Sequence, residues 1–271
     1  MNERQLKEAC HTQFGVVSER AAGALFTIPG RELADNSGMK RLLAAYGPLI
    51  KALDAQVPAS YFCGSLTMLG MSLHTALSEA NRTIDLDLDN LVVEIRMHEG
   101  GYPAIVYRLK SWRSEEGPAS PASRDAWLMQ AYTRLYGDVM RPIVESAASV
   151  SGAPVGSLWG QLPSKYQYYM RVRKDGLPEG SRMRERIEED YERFVRQLPA
   201  TVFGRARHPF DLKIKSVPSL TDPHGTAVMK SACCLYHRTD GGAYCYTCPK
   251  LKEEDRAERR AAYLSQQAVR T

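Results

Sequence analysis

From Ala55 to Ser78 the chain carries no Lys, Arg, Asp or Glu, and that run limits what the rest of the molecule can become. A segment of this length has to be hidden from water, either in lipid, where about 20 residues cross the bilayer, or inside a protein core. Pro58, Ser60, Ser65, Thr67, Ser72, His74 and Thr75 interrupt it, with Gly64 and Gly70 between them. Polar groups are costly in lipid, so the core is expected. Phe62, Leu66, Leu69, Leu73 and Leu77 recur at three- and four-residue steps, the period of a helix. A buried helix needs a large surround. With 271 residues and 44% apolar side chains, the chain can bury roughly three quarters of its unfolded surface without disulfide staples. Met1–Glu8 is polar, with no apolar stretch after a basic start, so no secretory signal is read there and a cytoplasmic protein is expected.

Helical spacing dominates elsewhere too. Met39, Leu42, Leu43, Tyr46, Leu49, Ile50 and Leu53 form one stripe, with Pro48 expected to kink or restart it. Leu128, Tyr132, Leu135, Val139, Ile143 and Ala147 form another, opened by Ser123 as cap. Val155, Leu158, Trp159, Leu162, Tyr166 and Met170 follow, with Trp159 placed in the core. Ile187, Tyr191, Phe194, Val195 and Leu198 mark a charged surface helix after Ser181, with Glu189–Arg193 and Glu192–Arg196 at four-residue spacing. Two stretches read as hairpins: Leu91–Met97 with Ile105–Leu109 around Glu99-Gly100-Gly101, and Asp211–Val217 with Ala227–Lys230 around Thr221–Gly225. Asp85-Leu86-Asp87-Leu88-Asp89 alternates as an edge strand would. The expected fold is α+β, mainly helical with two β-hairpins, divided into a helical α+β domain over 1–205 and a strand-and-cysteine unit over 206–271.

Charge is uneven. Residues 1–164 hold 15 basic and 17 acidic side chains, and residues 165–271 hold 21 and 14, giving −2 and +7. A basic third attracts an anionic small molecule, an acidic protein or nucleic acid, or is simply a solvated surface. Within it, Tyr166, Tyr168, Tyr169, Arg171, Arg173 and Lys174 mix aromatic rings and cations, either as a binding surface or as a helix with one buried face.

Four of the six cysteines fall within 16 residues: Cys233-Cys234, ten residues, then Cys245-Tyr246-Thr247-Cys248. Disulfides are disfavoured in a reducing cytosol. Zinc suits the Cys-x-x-Cys half. It suits the adjacent pair poorly, because neighbouring side chains on an extended backbone point to opposite sides. An iron–sulfur cluster is wider than one ion and accepts such divergence, although the spacing does not separate a 2Fe–2S from a 4Fe–4S centre. Cys10 and Cys63 stand apart, read as a free terminal thiol and a core filler.

The segment Ser231-Ala232-Cys233-Cys234-Leu235-Tyr236-His237, closing in Tyr244-Cys245-Tyr246-Thr247-Cys248-Pro249-Lys250, resembles the C-terminal signature of the FhuF-like ferric-siderophore reductases. Gly38–Tyr46, the charge-free helix at Tyr61–Leu77 and Leu158-Trp159 are similar to that family in order and spacing. Two departures stand out. About twenty residues follow Cys248, reading as an amphipathic helix through Ala257, Ala261, Leu264 and Ala268, and the spacer contains Asp240-Gly241-Gly242.

The resemblance implies a 2Fe–2S cluster on Cys233, Cys234, Cys245 and Cys248, making the C-terminal unit iron–sulfur-binding and those cysteines the electron-transfer site. It implies one-electron reduction of a ferric siderophore of hydroxamate or citrate type, and allows peripheral association with the inner membrane. His237, Tyr236, Tyr244 and Tyr246 are candidates for tuning or shielding the cluster. No Gly-x-Gly-x-x-Gly follows a strand and no phosphate loop is present, so electrons are expected from a protein donor such as a ferredoxin or a flavin reductase. Nucleic acid is not an expected partner. The alternatives are an iron–sulfur sensor or carrier, and a zinc-binding nucleic-acid module.

Overall fold

The computed structural model describes residues 1–20 and 23–268, and the charge-free run lies at its centre. Ahead of it, α1 (Glu3–Phe14) starts at a capping box in which Asn2 and Gln5 each accept from the other's backbone amide. Two short strands, β1 (Val16–Val17) and β2 (Phe26–Pro29), lead to α2 (Asn36–Leu49). Pro48 lies inside the last turn of this helix, which ends one residue later at Leu49, and Lys51 follows at a φ of 53°. The proline's missing amide leaves only the bond back to Ala44 unmade.

The charge-free run folds as α3 (Gln56–Ser65) and α4 (Thr67–Thr75), which turns into a π-helical end at Ala76–Ala80. Buried residues lie all round both helices, as expected of central ones. Among the described residues no helix is long and apolar enough to cross a membrane. The packing leaves no room at Gly70, where an added Cβ would stand 1.3 Å from the Tyr166 hydroxyl.

Next come β3 (Arg82–Ile84), β4 (Leu91–Met97), β5 (Pro103–Leu109) and β6 (Ser114–Glu116). β4 and β5 form the first expected hairpin, pairing Leu91 with Leu109 through Met97 with Pro103, and Gly101 supplies the positive φ of its turn. The four-stranded sheet runs β1-β5-β4-β2, with β1 parallel to β5, while β3 and β6 pair separately. The Asp85–Asp89 stretch is not an edge strand. The Asp85 carboxylate accepts from the Asp87 amide, Asn90 bonds back to Asp87, and Asp85, Asp87 and Asp89 pair with Arg113, Arg134 and Arg31. Aspartates that bond their own backbone favour turns over ladders.

Ser120, not Ser123, caps α5 (Pro121–Tyr132), with proline in the first turn. The helix runs through a π segment at Thr133–Met140 into α6 (Arg141–Ser151). Pro142 cannot donate to Asp138, and the Arg141 amide reaches Tyr136, five residues back. The Val155–Met170 stripe is two helices, α7 (Val155–Trp159) and α8 (Pro163–Asp175). Ser181 caps α9 (Arg182–Gln197) as expected. Glu189 pairs with Arg193, but Arg196 turns to Asp211 rather than to Glu192. Trp159, Tyr132, Tyr136, Tyr166, Phe194 and Phe203 fill the core around α4.

The remaining chain has less apolar interior. β7 (Ser216–Pro218) and β8 (Thr226–Val228) make the second expected hairpin, although Asp211–Lys215 lies outside it. The cysteine loop follows, and α10 (Glu253–Ala268) is the helix read beyond Cys248. The whole is α+β and mainly helical.

Candidate functional site

The cysteine segment is sewn onto the helical body at two places. Near its start, the Ser231 hydroxyl donates to the Gly160 carbonyl (2.8 Å) and accepts from the Ser164 amide (3.1 Å), while Gln161 Nε2 donates to the Cys233 carbonyl at 3.0 Å. These partners occupy the α7–α8 junction, where a Cβ on Gly160 would crowd Ala232 at 2.9 Å. Further on, the Leu53 amide donates to Arg238, the Asp240 amide donates to Lys51, and Arg238 pairs with Asp54.

Between these anchors the four thiols gather as two pairs. Cys233 and Cys248 bring their sulfurs to 3.6 Å, and Cys245 donates a hydrogen bond to Cys234. Each of the adjacent cysteines thus meets a different end of the Cys-x-x-Cys turn, as their opposed directions require. Leu235 follows them in the left-handed region, at φ 63°, which costs a side-chain-bearing residue roughly 1–2 kcal/mol. That turn aims backbone amides at sulfur: Leu235 donates to Cys233 and Tyr236 to Cys234, and Lys250 donates to Cys248 at 3.4 Å. Lys230 adds its ammonium, 3.0 Å from Cys234 Sγ.

Electrostatics separates the thiols in the metal-free chain. The hydrogen bond from Cys245, with Lys230 beside it, pulls Cys234 down to about 4 against the opposing effect of burial. The same hydrogen bond and burial push Cys245 up, and burial raises Cys233. A preformed thiolate is the form that binds metal.

This arrangement suits a two-iron group. Tetrahedral thiolate sites with metal–sulfur bonds of about 2.3 Å have sulfur–sulfur edges near 3.8 Å, and the Cys233–Cys248 separation is close to that. Among the described residues no three His, Cys, Asp or Glu side chains are grouped to hold a single ion; the four thiols come as two pairs. Amide donors and Lys230 face sulfurs that carry four negative charges when deprotonated, and hydrogen bonds to sulfur are a recognised lever on cluster potential.

The tyrosines and histidine of the spacer go different ways. His237 Nδ1 stands 3.8 Å from Cys233 Sγ, and its ring lies 4.3 Å from that of Tyr244. Tyr236 is exposed and contributes its amide. The Tyr246 hydroxyl donates to the Pro218 carbonyl at 2.7 Å, tying the loop to β7. Cys10 is a free thiol, as expected, but it is fully buried, and burial lifts it to about 12. Cys63 fills the core, and all six cysteines are unbridged.

Two residues to which the sequence reading gave no part in the site matter here. Lys230, read only as the end of the second hairpin, precedes the cysteines by a few positions, and that proximity was the available signal. Arg256, on α10, is 2% exposed and donates to the carbonyls of Tyr246, Cys248 and Leu251, the last two at 3.2 Å. On the same helix Arg259 donates to Tyr244, and Arg260 donates to Ser219 and Pro223. The mixed aromatic–basic patch is divided. Tyr166 is buried against Tyr136, Arg173 pairs with Glu79, and Lys174 with Glu188, while Tyr168, Tyr169 and Arg171 face a cavity beside the cysteine loop.

Residues 231–250 match the family model of the FhuF 2Fe-2S C-terminal domain. No curated protein and no solved structure matches the chain. The match coincides with the four thiols and assigns the segment a 2Fe–2S cofactor.

Proposed function

We propose that the protein is a cytoplasmic ferric-siderophore reductase that releases iron by one-electron reduction. The observation that carries this reading is the pairing of Cys233 with Cys248 and Cys234 with Cys245 under amide and lysine donors, within the segment that matches the FhuF 2Fe–2S domain. When bound, the 2Fe–2S group supplies a one-electron donor to the substrate's Fe(III). The chain's own residues do the rest. Lys230 and the amides of Leu235, Tyr236 and Lys250 offset thiolate charge, which favours the state carrying the extra electron. Gln161 and Ser231 fix the loop against the α7–α8 junction. Iron leaves because Fe(III) is hard and prefers oxygen ligands, whereas Fe(II) is held far less firmly by them. Electrons come from a ferredoxin- or flavin-type protein, since the sequence offers no nucleotide phosphate loop.

Anaerobically purified protein should be red-brown, with about two irons and two sulfides per chain. Serine at Cys233, Cys234, Cys245 or Cys248 should abolish or perturb the chromophore, while serine at Cys10 or Cys63 should spare it. Pre-reduced protein, freed of reductant, should be reoxidised by a ferric siderophore in the presence of a ferrous trap. NADPH alone should leave the protein oxidised. Colourless protein with one zinc, or no reoxidation by any ferric chelate faster than a cluster-free control, would overturn the proposal; the latter result would favour a sensor or carrier.

A further inference from the structure

A cavity of about 450 Å³ opens between α8, β8 and the cysteine loop, within the size range of small-molecule sites. Lys165, Arg171 and Lys230 line it, together with Tyr168, Tyr169 and Thr247, and no carboxylate does. Among the described residues none of these three cations pairs with a carboxylate, although Lys230 sits on the Cys234 sulfur, whereas Arg173 and Lys174 on the same helix both have carboxylate partners. Lys165 instead donates to the Gly64 carbonyl at 2.8 Å, and the Arg171 guanidinium lies 6.0 Å from the Tyr168 ring. Two cations without an anionic partner, Lys165 and Arg171, with Lys230 held on the Cys234 sulfur at the edge of the same hollow, form a site for an anion.

The cavity also shares a wall with the cysteines. The Lys230 amide donates to the Thr247 carbonyl at 2.9 Å, which fixes the residue between Cys245 and Cys248, and the Lys230 ammonium lies 3.0 Å from Cys234 Sγ. A molecule in the cavity is therefore one side chain away from a cluster ligand. Another sizeable cavity, bordered by Asp85, Asp87 and Asp89, shares no lining residue with the cysteine loop, and its carboxylates are unsuited to an anion.

We propose that the cavity between α8, β8 and the cysteine loop binds the substrate, and that it selects an anionic, oxygen-ligated ferric chelate over a neutral one such as a tris-hydroxamate complex. This deepens the reductase reading and rests on it. The chelate's peripheral oxygens meet Lys165, Arg171 and Lys230, while Tyr168 offers an exposed ring to an aromatic or apolar part of the ligand.

The test uses oxidised holoprotein and redox-inert gallium(III) complexes, so that binding is read without electron transfer. Calorimetry should show trianionic gallium(III) tris-catecholate binding more tightly than neutral gallium(III) tris-hydroxamate, with the difference shrinking as salt rises. Arg171 is exposed, so Arg171→Glu should fold and keep the cluster absorbance. It should weaken the anionic complex on the order of tenfold, as expected for reversing one charge near the ligand, and leave the neutral one unchanged. Equal affinity for the two complexes, or an anionic-complex affinity untouched by Arg171→Glu, would overturn the proposal. Stopped-flow reoxidation by the matching ferric complexes separates the two ideas. Wild-type reoxidation that ignores Arg171→Glu rejects the cavity and keeps the reductase; charge-selective binding with no reoxidation rejects the reductase and keeps the anion site.

Discussion

Arg256→Met isolates what the helix after the cysteines does. Arg256 is 2% exposed and serves three carbonyls in and just after the Cys-x-x-Cys turn, those of Tyr246, Cys248 and Leu251. Methionine keeps most of the apolar stem and removes every donor. Hydrogen bonds to a charged group contribute about 1.5–3 kcal/mol each. The half-buried Tyr246 can recover water, whereas Cys248 and Leu251 are buried, so the net loss should be about 3–5 kcal/mol. That loss falls on the opening of the turn, which a chelator must wait for before it can strip iron from Cys245 and Cys248. At 1.36 kcal/mol per decade of rate, bleaching of the visible absorbance under an iron chelator should accelerate on the order of a hundredfold or more. Arg256→Lys keeps the charge and loses the fork, so it should fall between the two. Arg259→Met, whose side chain is exposed, should change the rate less than about threefold, since water replaces its donor. If Arg256→Met bleaches at the wild-type rate with unchanged circular dichroism, α10 does not hold the cluster loop and the argument fails.

Lys230→Met should lower the midpoint potential on the order of 60 mV, one decade for a single electron, because it removes both a cation and a donor 3.0 Å from Cys234 Sγ; an unshifted midpoint in an EPR-monitored titration would count against that role. His74 sets a pH dependence. Burial lowers it from 6.5 to about 3, so below about pH 6.5 the unfolded chain binds a proton that the folded chain does not, and stability falls as pH falls. Urea midpoints converted to free energy should lose about 2 kcal/mol from this residue between pH 7 and 5, and His74→Gln should remove that part of the slope; an equal slope in the variant would refute the assignment.

How much of this was legible in the chain depends on whether a pattern was local. The β4–β5 hairpin was readable because its β-branched runs and its glycine turn lie within one stretch. The cysteine cluster was readable because thiols in a rare spacing announce metal chemistry, and even their opposed pairing follows from adjacency. The aromatic–basic patch was legible only in part. Tyr166, Met170 and Arg173 follow the four- and three-residue steps of α8 inward, whereas Tyr168 and Arg171 share the opposite side. The two readings left open, a binding surface and a helix with one buried face, each hold for part of the stretch, because the 3.6-residue period divides it. The alternating Asp85–Asp89 run misled for a related reason, since aspartate alternation satisfies a strand's period while its side chains favour turns. Arg256 was illegible because a charged residue on an amphipathic helix points to water by default. It is buried here for a physical reason: beyond Phe210 few apolar side chains are covered, Val217, Cys248 and Leu251 among them. A loop with so little apolar burial has to be held by bonds to its own backbone. Arg256, Arg259 and Arg260 supply those bonds from one helix, so the segment that looked like an appendage after the last cysteine supports the cysteine turn.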